Sequence, residues 1–274
     1  MHKLALHQIT MMEDGPEGLV RFAAGAGLDG VCLFTATPLD ASGRDMFPVV
    51  DPATASSFRR LLRDHDLRII NAEYFPVMPG QDVAAYLPAI ALAAELDAKR
   101  LVTHIHETDG QRAGDQLSKL CTIARGHGLA VGLEFTGFAG GCNSLASAVA
   151  LHGRVDQPNL GIAIDALHLI RTGGSLADVQ EIDPAIIVYA QLCDGPDLHI
   201  AEDYIAEAMN RMIPGEGVFP LRDLVALLGP HVDIDIEVPR HALSPGVEAT
   251  AWAERAITAS RALFARRSAR PRPY

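Results

Sequence analysis

Eight times along the 274 residues a short apolar run gives way to a polar loop and then to an Ala/Leu-rich amphipathic stretch. The strand-like runs fall at Leu4–Ile9, Gly30–Phe34, Arg68–Glu73, Arg100–Ile105, Ala130–Phe135, Leu160–Asp165, Ile186–Leu192 and Asp233–Val238. Helix-like stretches lie between them, near Glu17–Ala26, Thr54–Asp64, Val83–Leu96, Gln111–Gly126, Ser144–His152, Ser175–Val179 and Leu221–Leu228, with a last one at Glu248–Phe264. Strands alternating with helices imply parallel pairing with right-handed crossovers. Runs that are apolar throughout imply a sheet covered on both faces. Eight such units in a chain close to the usual ~250 residues predict a closed (β/α)8 TIM barrel, as a single domain over residues 1–265. Gly27 and Gly128 fall between a helix and the next strand, where a helix-ending glycine belongs. A doubly wound open sheet should carry GxGxxG after its first strand, and HQITMMEDG lacks it.

The totals narrow the function classes. Lys and Arg number 23 against 34 Asp and Glu, a formal charge of −11. That balance argues against a nucleic-acid partner and suits a divalent cation. Cys32, Cys121, Cys142 and Cys193 are scattered with no CxxC pair, so neither a disulfide framework nor a zinc knuckle is expected, and the reading is cytoplasmic. MHKLALHQIT does not read as a secretory leader, and no stretch reaches the ~18 apolar residues of a membrane span. Residues 266–274 form a basic, Pro-rich tail.

In such barrels the chemistry sits where strands end. Strand 5 carries Glu134 in GLEFTG, strand 6 ends at Asp165, strand 7 carries Gln191 in VYAQLCDGP and strand 8 ends at Glu237 in DIEVPR. Four consecutive strands thus place an oxygen-bearing side chain at one end. Clustered carboxylates at a sparsely hydrated mouth need a compensating cation. Three carboxylates and one amide oxygen form a hard ligand set, which points to one divalent metal ion, Mn2+ or Mg2+. His168 follows Asp165 by three residues and is placed to move protons near neutral pH. Arg211 precedes a Pro-Gly turn and could reach over the metal to hold an anionic group. His104 and His106 share a face by alternation, and Glu73 and His7 end or occupy strands 3 and 1, so all four are further substrate-binding candidates. Asp194 is read as support for Gln191, and Cys193 as a core thiol. The lysines, Lys3, Lys99 and Lys119, lie at the wrong end of the barrel or mid-helix, which disfavours a Schiff base.

Taken together, GLAVGLEF, NLGIAIDALHLIRTGG, QLCDGP, RMIPGEGVFPLRDL and DIEVPR resemble the xylose isomerase-like barrel superfamily of sugar phosphate isomerases and epimerases. The resemblance implies that Glu134, Asp165, Gln191 and Glu237 hold the metal, with Gln191 standing where isomerases usually have His. Glutamine there, His168 and Arg211 are similar to bacterial 3-dehydroshikimate dehydratases. NAEYFPVMPG, however, lacks the Arg such dehydratases carry after strand 3, and FTGFAGG lacks the second Glu of ketose 3-epimerases. A homodimer is a family-level expectation.

The expected activity is proton transfer next to a carbonyl on a polyhydroxylated, sugar-like substrate, through an enediolate whose charge the metal stabilises. Glu134 and Glu237 act as base and acid, with His168 beside them. Reprotonation gives an isomerase or epimerase, the leading expectation. Expulsion of a β-hydroxyl gives a dehydratase of the 3-dehydroshikimate or inosose type, the alternative. Two other classes share this pattern: a non-catalytic sugar-binding barrel, and a phosphodiester-cleaving metal barrel that the acidic charge argues against.

Overall fold

The computed structural model describes residues 2–39, 42–240 and 248–264. Among them, eight parallel strands close into a barrel in sequence order, with the first pairing the last. The strands are β1 (Leu4–His7), β2 (Gly30–Phe34), β3 (Arg68–Glu73), β4 (Arg100–Thr103), β5 (Ala130–Leu133), β6 (Leu160–Asp165), β7 (Ile187–Leu192) and β8 (Asp233–Ile236). The helices are α1 (Gly15–Gly25), α2 (Ala55–Asp64), α3 (Leu87–Glu95), α4 (Gly110–Gly126) and α5 (Leu145–Val155), followed by α6 (Ala166–Arg171), α7 (Leu176–Gln180), α8 (Tyr204–Ala208), α9 (Leu221–Leu227) and α10 (Ala249–Phe264). The fold expected from the rhythm is therefore the fold observed. The basic tail at 266–274 lies outside the described residues. Of these residues, no helix is long and apolar enough to cross a membrane. All four cysteines are free and buried.

Local signals explain the element ends. Ser144 and Ser147 form a reciprocal capping box that starts α5. Asp109 caps α4 by accepting from the Arg112 amide. Gly27 and Gly128 adopt φ of +64° and +77°, which glycine enters without steric cost. The continuous strand LGIAID of β6 is buried at every position, as a strand sandwiched between barrel interior and helices must be.

Two helices were not legible as separate elements. α6 follows β6 without a gap because the Asp165 carboxylate itself caps it, accepting from the His168 amide at 2.7 Å. α8 sits inside the long connection after β7, where no hydrophobic period announces it. It is tied down by Arg171, a fully buried residue of α6 whose guanidinium bonds Glu207 and donates to the Asp197 and His199 carbonyls at 3.0 Å each.

Inside the barrel, alternation stacks polar residues in layers. On β8 the sequence DIDIE sends Asp233, Asp235 and then Glu237 inward, from the floor to the mouth. Val102, Ala163 and the ring of Tyr189 form a small apolar layer between the ends. Gly132 makes room for that ring, since a Cβ there would lie 2.5 Å from it.

Candidate active site at the barrel mouth

The register of β6, β7 and β8 sets the site. Asp165 pairs beside Gln191, and Gln191 beside Asp235, so that the ends of these strands reach a common level. Glu134 and Glu237 follow the last residues of β5 and β8 by one position. All four residues of the expected quartet are buried at that end. A cavity of about 180 Å³ opens above them. It is bordered by Glu134, Gln191, Glu237, His168 and Arg211, and also by His7, Glu73 and His104, so eight of the ten residues singled out from sequence reach it.

Glu134 lies at the centre. Its Oε1 is 3.3 Å from His168 Nε2, and its Oε2 is 3.5 Å from His104 Nε2 and accepts from the Tyr189 hydroxyl at 3.0 Å. Burial works to raise its pKa, but His104 and His168 outweigh it and hold the carboxyl well below the usual range. His104 is raised in turn: burial opposes its charge, and Glu134 more than compensates. Glu237 is shifted the other way, upward, because burial dominates and Asp165 and Glu134 add repulsion that Arg211 and His7 only partly relieve. The two glutamates on one cavity are thus driven apart in acidity.

Asp165 does not face the cavity. Its oxygens cap α6 and bind Arg211 Nη1 at 2.6 Å. Arg211 was expected to reach out to an anionic substrate group. Instead its Nη2 lies 3.2 Å from Glu237, and its Nε donates to the Ala208 carbonyl at 3.0 Å, so all three guanidinium nitrogens are engaged. The reason is electrostatic: two buried carboxylates lie within reach of one guanidinium, and a bare pair would be costly. Gln191 donates its amide to Glu237, and its Oε1 is buried with no partner. Asp194 holds the Pro-Gly turn by accepting from the Gly195, Gly215 and Phe219 amides at 2.8 to 2.9 Å. His106 also departs from expectation. β4 ends at Thr103, the alternation stops, and His106 bonds the Tyr74 hydroxyl at 3.0 Å without lining the cavity.

Tyr189 and Tyr204 were missed. Tyr189 had a signal, since it sits two residues before Gln191 and shares its inward face. Tyr204 had none. It comes from α8, passes over Gly137, where a Cβ would lie 2.3 Å from its ring, and places its hydroxyl 2.6 Å from His168 Nδ1. A carboxylate and two imidazoles on one cavity, backed by the hydroxyls of Tyr189 and Tyr204, can take a proton from carbon and hold it.

A family model, the xylose isomerase-like TIM barrel, matches residues 20–263. The chain belongs to this family. A curated relative, the 3-dehydroshikimate dehydratase of Pseudomonas aeruginosa, is 28% identical over 232 residues, 79% of this chain. An inosose isomerase of Halalkalibacterium halodurans is 26% identical over 114 residues, 41% of this chain. The matches span 34% and 39% of those proteins' own length. Among solved structures, the IolI protein with a bound zinc atom superposes with a TM-score of 0.75 at 17% identity, over 95% of this chain and 96% of that one. At that identity the likeness is one of fold. An isomerase and a dehydratase are thus among the relatives of this chain, and a protein of the same fold holds a zinc atom.

Whether the present residues suit a metal is answered by their own chemistry. Glu134, Asp165 and His168 offer ligand atoms all within 4.8 Å of one another, and Gln191 Oε1 is a buried oxygen with no donor. Glu134, Asp165 and Glu237 are all buried at this end of the barrel. An oxygen-rich donor set of this kind fits a hard divalent cation.

Proposed function

We propose that the chain is a divalent-metal-dependent enzyme that removes a proton next to the carbonyl of a polyhydroxylated substrate and then expels a β-hydroxyl as water. The observation that carries this is geometric: Glu134, Gln191, Glu237 and His168 border one cavity at the barrel mouth, and Gln191 Oε1 is buried there with no donor. Glu134, with His104 and His168 beside it, serves as base, and Glu237, beside Gln191 and Arg211, as acid. Glu134 takes the carbon-bound proton, and His168 Nε2 at 3.3 Å holds it against Glu134 Oε1. Tyr204, 2.6 Å from His168 Nδ1, keeps that ring in place. Glu237 gives a proton to the departing hydroxyl, so that a C–H and a C–O bond break and an enone and water result. Glu134, Asp165, Gln191 and Glu237 would hold the cation, Mn2+ or Mg2+ on account of their oxygen donors. Bound there, a cation would supply positive charge to stabilise a carbonyl oxygen.

Dehydration stands first because the match to the dehydratase covers 79% of this chain. Isomerisation, with the proton returned to the adjacent carbon, is the second reading, favoured by the inosose isomerase match. The deciding experiment incubates metal-loaded protein in D2O with inososes, ketohexoses and 3-dehydroshikimate. A conjugated, ultraviolet-absorbing product formed with loss of water is the expected result. Deuterium wash-in without water loss moves the assignment to isomerase. Protein that binds no divalent metal, by elemental analysis after metal supplementation, refutes the proposal; about one ion per chain, lost in Glu134→Ala, is expected.

A further inference from the structure

The cavity has two unlike halves. Its inner half is polar, but the polar groups are paired with one another: Glu134 with His104 and His168, Glu237 with Gln191 and Arg211, and His7 Nε2 with Glu73 at 3.4 Å. Among the described residues that line it, Arg211 is the sole lysine or arginine, and each of its nitrogens already has a protein partner. At the end of β3 the wall presents Glu73 and Tyr74, not a cation. A carboxylate or phosphate entering here meets no uncommitted positive side chain among the described residues that line it.

The outer half is carbon. Ile9, Phe34, Pro38, Phe47, Phe138 and Met209 form it. Phe34 and Phe47 stack with ring centroids 4.7 Å apart. Phe138 packs against the rings of His104 and His168 and is still 39% exposed. On the loop that carries Pro38 and Phe47, Leu39 and Met46 are 62% and 53% exposed. A hydroxyl laid on this wall would lose its water and gain no partner, whereas an apolar group laid there is favoured.

Size completes the argument. About 180 Å³ is close to the ~150 Å³ cavity that accepts benzene, so the chamber takes one six-membered ring. Phe34, Phe47 and Phe138 border the same chamber, so an apolar substituent on that ring lies against them.

Building on the proposed enolisation chemistry, we propose that the substrate is an uncharged hydroxyketone ring bearing an apolar substituent, its carbonyl end at Glu134 and Glu237 and its substituent on the Phe47–Phe138 wall. The class differs from the carboxylate-bearing compound in the dehydratase relative's name.

The test is titration calorimetry on the full chain with Mn2+. The probes are 2-hydroxycyclohexanone, its 4-phenyl derivative and 3-dehydroshikimate. The phenyl ketone should bind at least about tenfold tighter than the parent ketone. That ratio should collapse toward one in Phe47→Ala and in Phe138→Ala, two loop substitutions that can be read independently should either misfold. A ratio near one in the unmodified chain overturns the inference, as does one that survives both substitutions, no heat from either ketone, or tighter binding of 3-dehydroshikimate. A ratio near one in a chain that sediments as a dimer assigns the apolar surface to a second copy and also overturns it. Deuterium exchange into the parent ketone is read separately. Exchange with no phenyl preference leaves the chemistry standing and removes the substrate class; phenyl preference without exchange does the reverse.

Discussion

At the floor of the barrel, Arg100 opens β4 and Asp233 opens β8, and their side chains meet at 2.5 Å. Lys99 adds a second cation at 2.6 Å, Asn71 accepts from Arg100 at 2.9 Å, and the guanidinium lies 5.3 Å from the Tyr189 ring centroid. At the mouth, Arg211 meets Asp165 and Glu237, and Glu134 lies beside them with only imidazole and phenol partners. Both ends bury an arginine in the same closed sheet. The floor sets two cations against one carboxylate and leaves its arginine satisfied. The mouth sets Arg211 and the raised imidazole of His104 against Asp165, Glu237 and Glu134, and leaves an amide oxygen without a donor. A fold needs only the first arrangement. The unpartnered oxygen beside clustered carboxylates has a use if a cation or a proton in transit shares the site.

That contrast can be broken by experiment. Glu134→Gln preserves shape but removes the base, so turnover should fall on the order of 10²–10⁴-fold, while the urea midpoint moves little. A large loss of stability with retained turnover would make the mouth a structural cluster like the floor. Arg100→Met should do the opposite. Leaving Asp233 short of its buried partner costs about 3–5 kcal/mol in urea unfolding, with turnover per folded molecule unchanged and no rescue by added Mn2+. Activity lost in proportion would erase the division between the ends.

Between the two ends lies Asp235, whose Oδ1 has no partner and whose pKa burial pushes up to about 7, with Glu237 and Glu73 adding to the rise. An acid raised in the folded state binds its proton there more tightly than when unfolded. Its stabilising contribution is therefore full below the unfolded value of 3.8 and is lost as pH climbs through about 7. Stability should decline across that window, and Asp235→Asn should flatten the decline; a parallel profile in the variant would show Asp235 to be ionised throughout. The smallest effect is expected at Tyr204→Phe. Losing one hydrogen bond to His168 should reduce turnover by about tenfold and shift the pH profile, with binding affinity nearly kept. A drop in affinity alone would place Tyr204 among groups that only shape the cavity.

Much of this was legible in the amino-acid order. The strands needed only local patterning: apolar runs such as LGIAID, and the DIDIE alternation that turns Asp233, Asp235 and Glu237 to one face. Strand ends point into the mouth of any such barrel, so Glu134, Asp165, Gln191 and Glu237 could be found by position along the chain. Their being buried together follows from geometry that period-2 alternation and parallel closure already impose.

What tertiary structure alone decided is which atoms meet. Arg211 lies 46 residues from Asp165, and its preference for Asp165 and Glu237 over an outside anion arises because the connection after β7 folds back across the mouth. Tyr204 reaches His168 only because Gly137 leaves space and Arg171 anchors α8. The aromatic wall joins Phe34, the last residue of β2, to Phe47 and Phe138 from two separate loops. Periodicity carries the interior because strands and helices repeat. Loops do not repeat, so the cover of the site, and with it the choice of substrate, is set by packing that no local pattern encodes.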